Sequence, residues 1–288
     1  MILKRIFFRL AILFFIFALP AAVGFGAYQY QQPLSFAEID LLDIGQGDAI
    51  LIQTPARQNI LIDAGADGRL LQELGNVLGF FERDIDLLIL THPDLDHIGG
   101  ASDLLRRYDV QRVLMTGVLH SSAAYADILQ EIARQRIPVD IASAGQMYVF
   151  DDGAELEILY PLESRVADDP IDNNATSIVA RFDHGASSAL FMGDADTAIE
   201  AELITAGVNL QADILKLGHH GATTSTSQAF LDAVQPDIAL ISAGVDNKFG
   251  HPRPEVMERI TNMQIYRTDE MGTVQLQSNG ETWHTKMN

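Results

Sequence analysis

The chain contains no cysteine. Disulfides and thiolate metal ligands are excluded, so any metal must be held by histidine and carboxylate. Cationic residues are scarce: 19 Lys and Arg stand against 39 Asp and Glu, a formal net charge of −20. A surface this acidic repels a nucleic-acid backbone, whose binding relies on Lys and Arg displacing counterions. Net charge thus disfavours DNA as a partner, although composition leaves room for one basic patch on a surface charged for solubility. The 288 residues contain no Gly-x-Ser-x-Gly elbow, no low-complexity segment and no evident repeat. The chain is globular in composition and carries no serine-nucleophile signature.

The one long apolar run stands at the N-terminus, where Lys4, Arg5 and Arg9 precede 18 residues from Leu10 to Ala27. That length lies between a signal peptide and a membrane-spanning helix. Small residues at Ala22 and Gly24, or at Gly24 and Gly26, suit a cleavage site. Residues 1–27 are therefore read as a signal peptide or membrane anchor, with cleavage favoured. Either reading puts the remainder outside the cytoplasm, periplasmic, secreted or attached to the membrane through that segment. A linker follows at 28–35, and no further linker divides residues 36–288, read as one domain, free-standing or singly anchored.

Short apolar runs alternate with helical spacing along that domain. Strands are expected over 36–43, 48–53, 59–63, 85–90, 110–115, 139–142, 155–159, 177–182, 188–192, 213–217 and 237–242. Helices are expected over 70–78, 102–108, 123–135, 197–206, 227–234 and 254–261, before a closing hairpin. The first half begins with strands and continues as strand and helix, and the second half repeats that scheme. The polar clusters all sit at the C-terminal ends of apolar runs: Asp63, His92–His97, Asp194 and His219-His220. Ligands delivered by separate strands to one edge suit a site between two packed sheets.

The densest cluster is Thr91-His92-Pro93-Asp94-Leu95-Asp96-His97-Ile98-Gly99-Gly100. It places His92, Asp94, Asp96 and His97 within six residues on a loop leaving the strand at 86–90. One His-x-Asp could be a turn whose Asp caps a helix. Two carboxylates this close repel one another unless a cation or proton lies between them, and four ligand-type residues favour the metal.

Five ordered motifs now matter together: Asp-Ile-Gly-Gln-Gly-Asp (43–48), Leu-Ile-Asp-Ala-Gly (61–65), the 91–100 stretch, Met-Gly-Asp (192–194) and Leu-Lys-Leu-Gly-His-His-Gly-Ala (215–222). The chain resembles the metallo-β-lactamase superfamily, and within it the hydrolase domain of ComEC-type competence (DNA-uptake) proteins. Ile-Ser-Ala-Gly (241–244), Gly-His-Pro (250–252) and Tyr-Arg-Thr-Asp (266–269) match the same subgroup. The resemblance implies an α/β fold, a four-layer αββα sandwich, with two divalent metal ions at one edge. His92 and Asp94 would bind one ion, Asp96 and His97 the other, and Asp194 would bridge them. One of His219 and His220 would complete the second site, and spacing does not choose between them. Catalysis would turn on Asp96, Asp194 and His220, and Asp63 would hold the ligand loop by hydrogen bonds.

Two departures stand out. Asp94 replaces a histidine of the superfamily's usual His-x-His-x-Asp-His. The middle histidine has no evident counterpart: His120 and His184 read as loop or turn residues, and Asp172-Asn173-Asn174 falls where that motif belongs. A site richer in oxygen accepts Mn²⁺ or Mg²⁺ more readily than a three-histidine site, which favours Zn²⁺; the ions are expected to be Zn or Mn. Asp43 and Asp48 read as ordering a Gly turn, Lys216 as an inward-facing lysine, and His251 as a turn histidine or a substrate-side donor. Arg267-Thr268-Asp269 reads as pinning a hairpin, and Thr223–Ser227 as a hydroxyl-rich loop with a helix cap.

Three functions follow from these residues. The leading one is an exported metal-dependent hydrolase using an activated water on a phosphodiester, with DNA as a possible polymer. The second keeps the metals and takes a small envelope substrate: an ester, a choline-phosphate-type group or a lactone. The third is a non-catalytic, metal-stabilised binding module of an uptake machine.

Overall fold

The computed structural model describes residues 34–79 and 82–286, together with Phe14 and Ala18. Apart from those two residues, the expected leader lies outside the described residues, as do 28–33 of the expected linker. The chain divides into two units, Met1–Leu34 and Ser35–Asn288, and every described strand belongs to the second. Among the described residues no helix is long and apolar enough to cross a membrane.

The second unit opens with an antiparallel meander of β1 (Ala37–Leu41), β2 (Ile50–Gln53) and β3 (Asn59–Ile62). There follow α1 (Arg69–Val77), β4 (Asp84–Ile85), β5 (Leu87–Leu90), α2 (Leu95–Ile98) and α3 (Ala101–Arg107). Next come β6 (Asp109–Val110), β7 (Val113–Met115), α4 (Ala123–Gln135) and β8 (Val139–Ile141). A second meander of β9 (Met147–Val149), β10 (Glu155–Tyr160), β11 (Val179–His184) and β12 (Ser187–Phe191) leads into α5 (Thr197–Ala206) and β13 (Ile214–Lys216). After it come α6 (Gln228–Val234), β14 (Ile238–Ile241), α7 (Pro254–Arg259), β15 (Gln264–Arg267), α8 (Thr268–Met271), β16 (Val274–Ser278) and β17 (Trp283–Thr285).

One sheet has the order β17-β16-β1-β2-β3-β5-β7-β8 and the other β15-β14-β13-β12-β11-β10-β9. Each passes from antiparallel to parallel pairing: β3, β5, β7 and β8 run parallel in the first, and β12 to β15 in the second. Parallel neighbours require crossover connections, and the helices supply most of them on the outer faces. Ile50, Ile52, Ile60 and Ile89 point inward and meet Ile158, Phe182, Phe191 and Leu240 of the opposite sheet. Leu51, Leu61 and Leu88 point outward and pack with Leu70, Leu104 and Ile128 of the helices. Leu190, Leu215 and Ile241 do the same against Leu203, Phe230 and Val256. The result is the αββα sandwich that the motifs imply. Burial on both faces is why the central strands read as unbroken apolar runs rather than alternating ones.

Local chemistry sets the helix boundaries. Ser122 accepts the Tyr125 N–H at the start of α4, and Asp196 accepts the Ala198 and Ile199 N–H groups at the start of α5; such caps are worth about 1 kcal/mol each. Three features differ from expectation. The second half of the ligand stretch is not loop but the helical turn α2, because Asp94 offers its carbonyl to the N–H groups of His97 and Ile98. Strand β9 is too short and too exposed to carry a periodic signal. Arg267-Thr268-Asp269 pins no hairpin: it enters α8, Arg267 pairs with Asp269, and Thr268 exchanges hydrogen bonds with Ala243 after β14.

One buried group in the first sheet is at odds with neutral pH. Asp40 on β1 is 1% exposed, accepts from Gln275 through Oδ1, and leaves Oδ2 without a partner. Burial, reinforced by Glu38, outweighs Gln275 and Lys286 and lifts its pKa from 3.8 to about 6. Between those values the folded chain holds a proton that the unfolded chain has shed, so this group's contribution to stability falls as pH rises from about 4 to about 6 and stays low above it. Asp40→Asn should therefore stabilise the fold at pH 7 by roughly 2–3 kcal/mol and change little at pH 4. Urea unfolding at both pH values checks this, and an equal effect at both would contradict it.

Candidate metal centre

The strands of both sheets deliver their C-terminal ends to one edge. Asp63 follows β3, Thr91-His92 follow β5, Asp194 follows β12, and the Gly218–Gly221 turn follows β13. Within that turn His219 and His220 both have left-handed backbone, φ 48° and 54°. Non-glycine residues hold that conformation at a cost of about 1–3 kcal/mol, and such strain gathers where side-chain aim matters. Gly47, at φ 119°, lies so close to Asp96 that a Cβ would stand 2.0 Å from its carbonyl oxygen. No other residue lets the β1–β2 loop pack on the ligand stretch.

The hydrogen bonds behind the imidazoles fix their tautomers. Asp63 accepts the Thr91 N–H at 2.8 Å through Oδ1, and the Thr91 hydroxyl and His97 Nδ1 at 2.7 Å through Oδ2. With its own proton given to Asp63, Thr91 Oγ1 accepts from His92 Nδ1 at 2.9 Å. His220 Nδ1 faces two acceptors, the Ser242 carbonyl at 3.1 Å and Asp48 Oδ1 at 3.3 Å. In all three rings the network accounts for a proton on Nδ1 and leaves Nε2 as the atom open to a cation.

Those three Nε2 atoms are buried without a hydrogen-bond partner, as is Asp194 Oδ1. They converge: His97 Nε2 lies 3.3 Å from Asp194 Oδ1, and His92 Nε2 and His220 Nε2 lie 3.9 and 3.6 Å from Asp194 Oδ2. Asp96 Oδ2 is 3.5 Å from His220 Nε2, and Asp94 Oδ2 is 3.7 Å from His92 Nε2. His92, His97 and Asp194 form one group with ligand atoms within 4.8 Å of one another, and Asp96, His97 and His220 form another. Converging nitrogen and carboxylate lone pairs, each oriented from behind, fit divalent cations.

Of the seven predicted metal residues, five (His92, Asp96, His97, Asp194 and His220) come together in this cluster. Asp94 stands at its margin, its side chain 37% exposed, and accepts from Asn173 Nδ2 at 2.6 Å. His219 is set apart: its side chain is 28% exposed, Nε2 is 3.9 Å from Asp194, and Nδ1 lies 3.4 Å from the Asn174 amide nitrogen and 3.3 Å from the Thr224 hydroxyl. The Asp172–Asn174 stretch thus does reach the site, through amides rather than imidazole. His120 is nearer than a simple turn residue would be, with Nε2 3.4 Å from Asn173 Nδ2. It lines a cleft of about 560 Å³ with Leu119, Ser121, Asp169, Ile171 and Asn173 beside the cluster. Over the other side His251 lies 5.6 Å, ring to ring, from His219, its backbone clamped by Asn247. The Thr223–Ser227 loop buttresses the histidine turn: Ser225 donates to the Gly218 carbonyl, and buried Glu200 accepts the Thr226 and Ser227 N–H groups.

Sequence reading missed the partner of Lys216. That lysine is fully buried and its ammonium meets Asp48. The two are 168 positions apart, and only the inward phase of the strand pointed to it.

Charge is tightly coupled across the cluster. Burial alone would suppress the charge on His97 and His220, but Asp194 acts on both, with Asp63 on the first and Asp48 on the second. His97 is held well above the ordinary imidazole value and His220 is raised to about 9. Burial, with His97 beside it, lowers His92 to about 4. Asp194, opposed by burial but faced by His220, His97 and His92, is pushed well below the usual carboxylate range.

Comparison with known proteins agrees with this geometry. The profile of the metallo-beta-lactamase superfamily matches residues 42–245, and the chain belongs to that superfamily. ComE operon protein 3 of Bacillus subtilis (strain 168) is 32% identical over 260 residues, 84% of this chain and 33% of that protein. Competence protein ComA of Neisseria gonorrhoeae is 32% identical over 260 residues, 88% of this chain and 34% of that protein. These relatives place the chain in the ComEC-type subgroup, and it spans about a third of their length. Among solved structures, the metallo-beta-lactamase fold protein YhfI from Bacillus subtilis has a TM-score of 0.54 at 12% identity, covering 84% of this chain and 100% of that one. That likeness is one of fold alone. The fold implies divalent metal ions, which the five converging side chains suit.

A cation entering the cluster must displace the protons on His97 and His220. Metal uptake should release protons, and affinity should rise with pH from about 6 to about 9, by up to about tenfold per unit for each proton displaced. Calorimetric titration with Mn²⁺ or Zn²⁺ in buffers of different ionisation heat measures both. An affinity independent of pH would contradict the raised values of His97 and His220.

Proposed function

We propose that the chain is a metal-dependent hydrolase that cleaves phosphodiesters, with two divalent ions held by His92, Asp94, Asp96, His97, Asp194 and His220. The observation that carries this reading is the convergence of three buried Nε2 atoms, none with a hydrogen-bond partner, on Asp194. Two ions there would lower the pKa of water and polarise a phosphoryl oxygen. Asp194, between the two groups, is the residue placed to bridge them. The supply of carboxylate and the lack of a third imidazole beside His92 suit Mn²⁺ as well as Zn²⁺.

The paired histidines divide the labour. His220 turns a buried Nε2 without a hydrogen-bond partner into the cluster and is the ligand. His219 accepts the Asn174 amide N–H at Nδ1, which leaves its proton on Nε2, facing the site from the solvent side. It is placed to donate a hydrogen bond, or a proton, to an oxygen of the substrate.

The rim supports a phosphodiester. Lys248 lies 4.9 Å from the ring of exposed Phe249, and that ring stacks on His251 at 5.7 Å. A cation and an aromatic face thus stand beside the cluster in a chain otherwise short of cations. Relatives named as competence proteins point to DNA as the polymer. The net charge of −20 favours the second reading, a small envelope ester or choline-phosphate-type substrate. The basic flank and apolar run of residues 1–27 support an extracytoplasmic location for either.

The purified protein supplied with Mn²⁺ or Zn²⁺ should hydrolyse bis-p-nitrophenyl phosphate, and Asp96→Ala should lower the rate by on the order of 10²-fold or more. His219→Ala should keep its metal and lose about 10²–10⁴-fold in kcat, whereas His220→Ala should lose metal. Equal rates for Asp96→Ala and the unaltered protein would sink the assignment. Salt-sensitive retardation of single-stranded DNA in a gel separates the first reading from the second.

A further inference from the structure

Beneath His220 lies an ion pair for which the hydrolytic reading has no use. Lys216, the last residue of β13, is fully buried, and its Nζ meets Asp48 Oδ2 and donates to the Leu217 carbonyl at 3.0 Å. Asp48 is 1% exposed. Removing both charges from water is costly, and a buried pair of this kind is often replaced by apolar side chains without loss of stability. Packing alone therefore gives little reason for it.

The rest of Asp48 supplies one. Its second oxygen stands 3.3 Å from His220 Nδ1. Its backbone N–H donates to the Asp96 carbonyl at 3.2 Å, and its own carbonyl accepts the Gly65 N–H at 2.9 Å. One residue thus touches the histidine turn, the ligand stretch at Asp96 and the loop that carries Asp63. The Ser242 carbonyl reaches the same His220 N–H from the end of β14 at 3.1 Å, so two acceptors bracket it and oppose rotation of the ring.

We propose that Asp48 and Lys216 are a positioning pair for His220. Lys216 engages one carboxylate oxygen, which turns the other toward the imidazole, and Asp48 then holds the ring with its Nε2 aimed between Asp96 and Asp194. The inference rests on the reading of His220 as a metal ligand. It assigns neither residue any contact with substrate.

The test separates positioning from mere stability. Lys216→Met leaves a lone buried carboxylate and should melt well below the unaltered protein, whereas Asp48→Asn/Lys216→Met removes both charges and should recover most of that loss. Competition titration with a chromophoric chelator, and the visible spectrum of the Co²⁺-loaded protein, report on His220 independently of turnover. In the double variant the second equivalent of Co²⁺ should bind about 10–100-fold more weakly and its spectrum should change. Wild-type affinity and spectrum in a double variant of wild-type stability would overturn the proposal and make the pair structural. If the double variant does not fold, Asp48→Asn, which keeps the side chain's shape, takes its place: weakened binding of the second ion supports the proposal, and wild-type affinity overturns it. Failure of the unaltered protein to bind any divalent ion would bring down the two-metal reading itself, and the proposal with it, at the first titration.

Discussion

The edge depends above all on one carboxylate. Asp63 takes three hydrogen bonds, from the Thr91 N–H, the Thr91 hydroxyl and His97 Nδ1. Through Thr91 it also sets the ring of His92. The exit of β5 and two of the three clustered imidazoles thus hang on one buried side chain. Asp63 holds this place with a left-handed backbone, φ 61°, one residue beyond β3. Extended conformation there would send the carboxylate to the other face of the sheet, since successive strand residues point to opposite sides. The strain at Asp63 and at the His219-His220 turn has the same meaning: the backbone leaves its preferred region where a strand must present polar atoms at its end.

The elements legible in the sequence were those whose signal is local. The central strands announced themselves as apolar runs because both their faces are buried, and α4 and α5 carried helical spacing behind capping residues at Ser122 and Asp196. Asp63, His92–His97, Asp194 and His219-His220 could be picked out because each follows such a run. What stayed hidden depends on pairing across the fold. The Asp48–Lys216 contact joins a loop of the first sheet to a strand of the second, and Asn173 and Asn174 reach Asp94 and His219 from a turn with no periodic signal. His219 and His220 are neighbours in sequence with identical side chains. Only the turn, which buries one ring against Ser242 and leaves the other facing Asn174, gives them different partners.

The departure at Asp94 also takes on meaning in three dimensions. A histidine there would add a nitrogen beside His92; the carboxylate instead is tied to the Asn173 amide and stays partly exposed. The Asn173–Thr176 turn, where the superfamily's middle histidine is expected, supplies that amide rather than a ligand. The two departures are therefore coupled. The residue that replaces one imidazole is held in place by the segment that lacks the other.

Charge looks different once the acids are located. The composition suggests a uniformly anionic surface, yet Glu38, Asp40, Asp48, Asp63, Glu82, Asp194 and Glu200 are all buried. Asp48 is matched by Lys216, Asp63 is satisfied by three donors, and Asp194 faces three imidazoles. Beside the cluster, Asp48, Asp63 and Asp194 are turned inward, away from solvent. On the rim of the cluster, Lys248 lies over Phe249. At about 8–10 Å of screening length in ordinary salt, that local arrangement weighs more on an approaching phosphate than the sum over the whole chain. The objection to a polynucleotide drawn from net charge is correspondingly weaker than the sequence makes it.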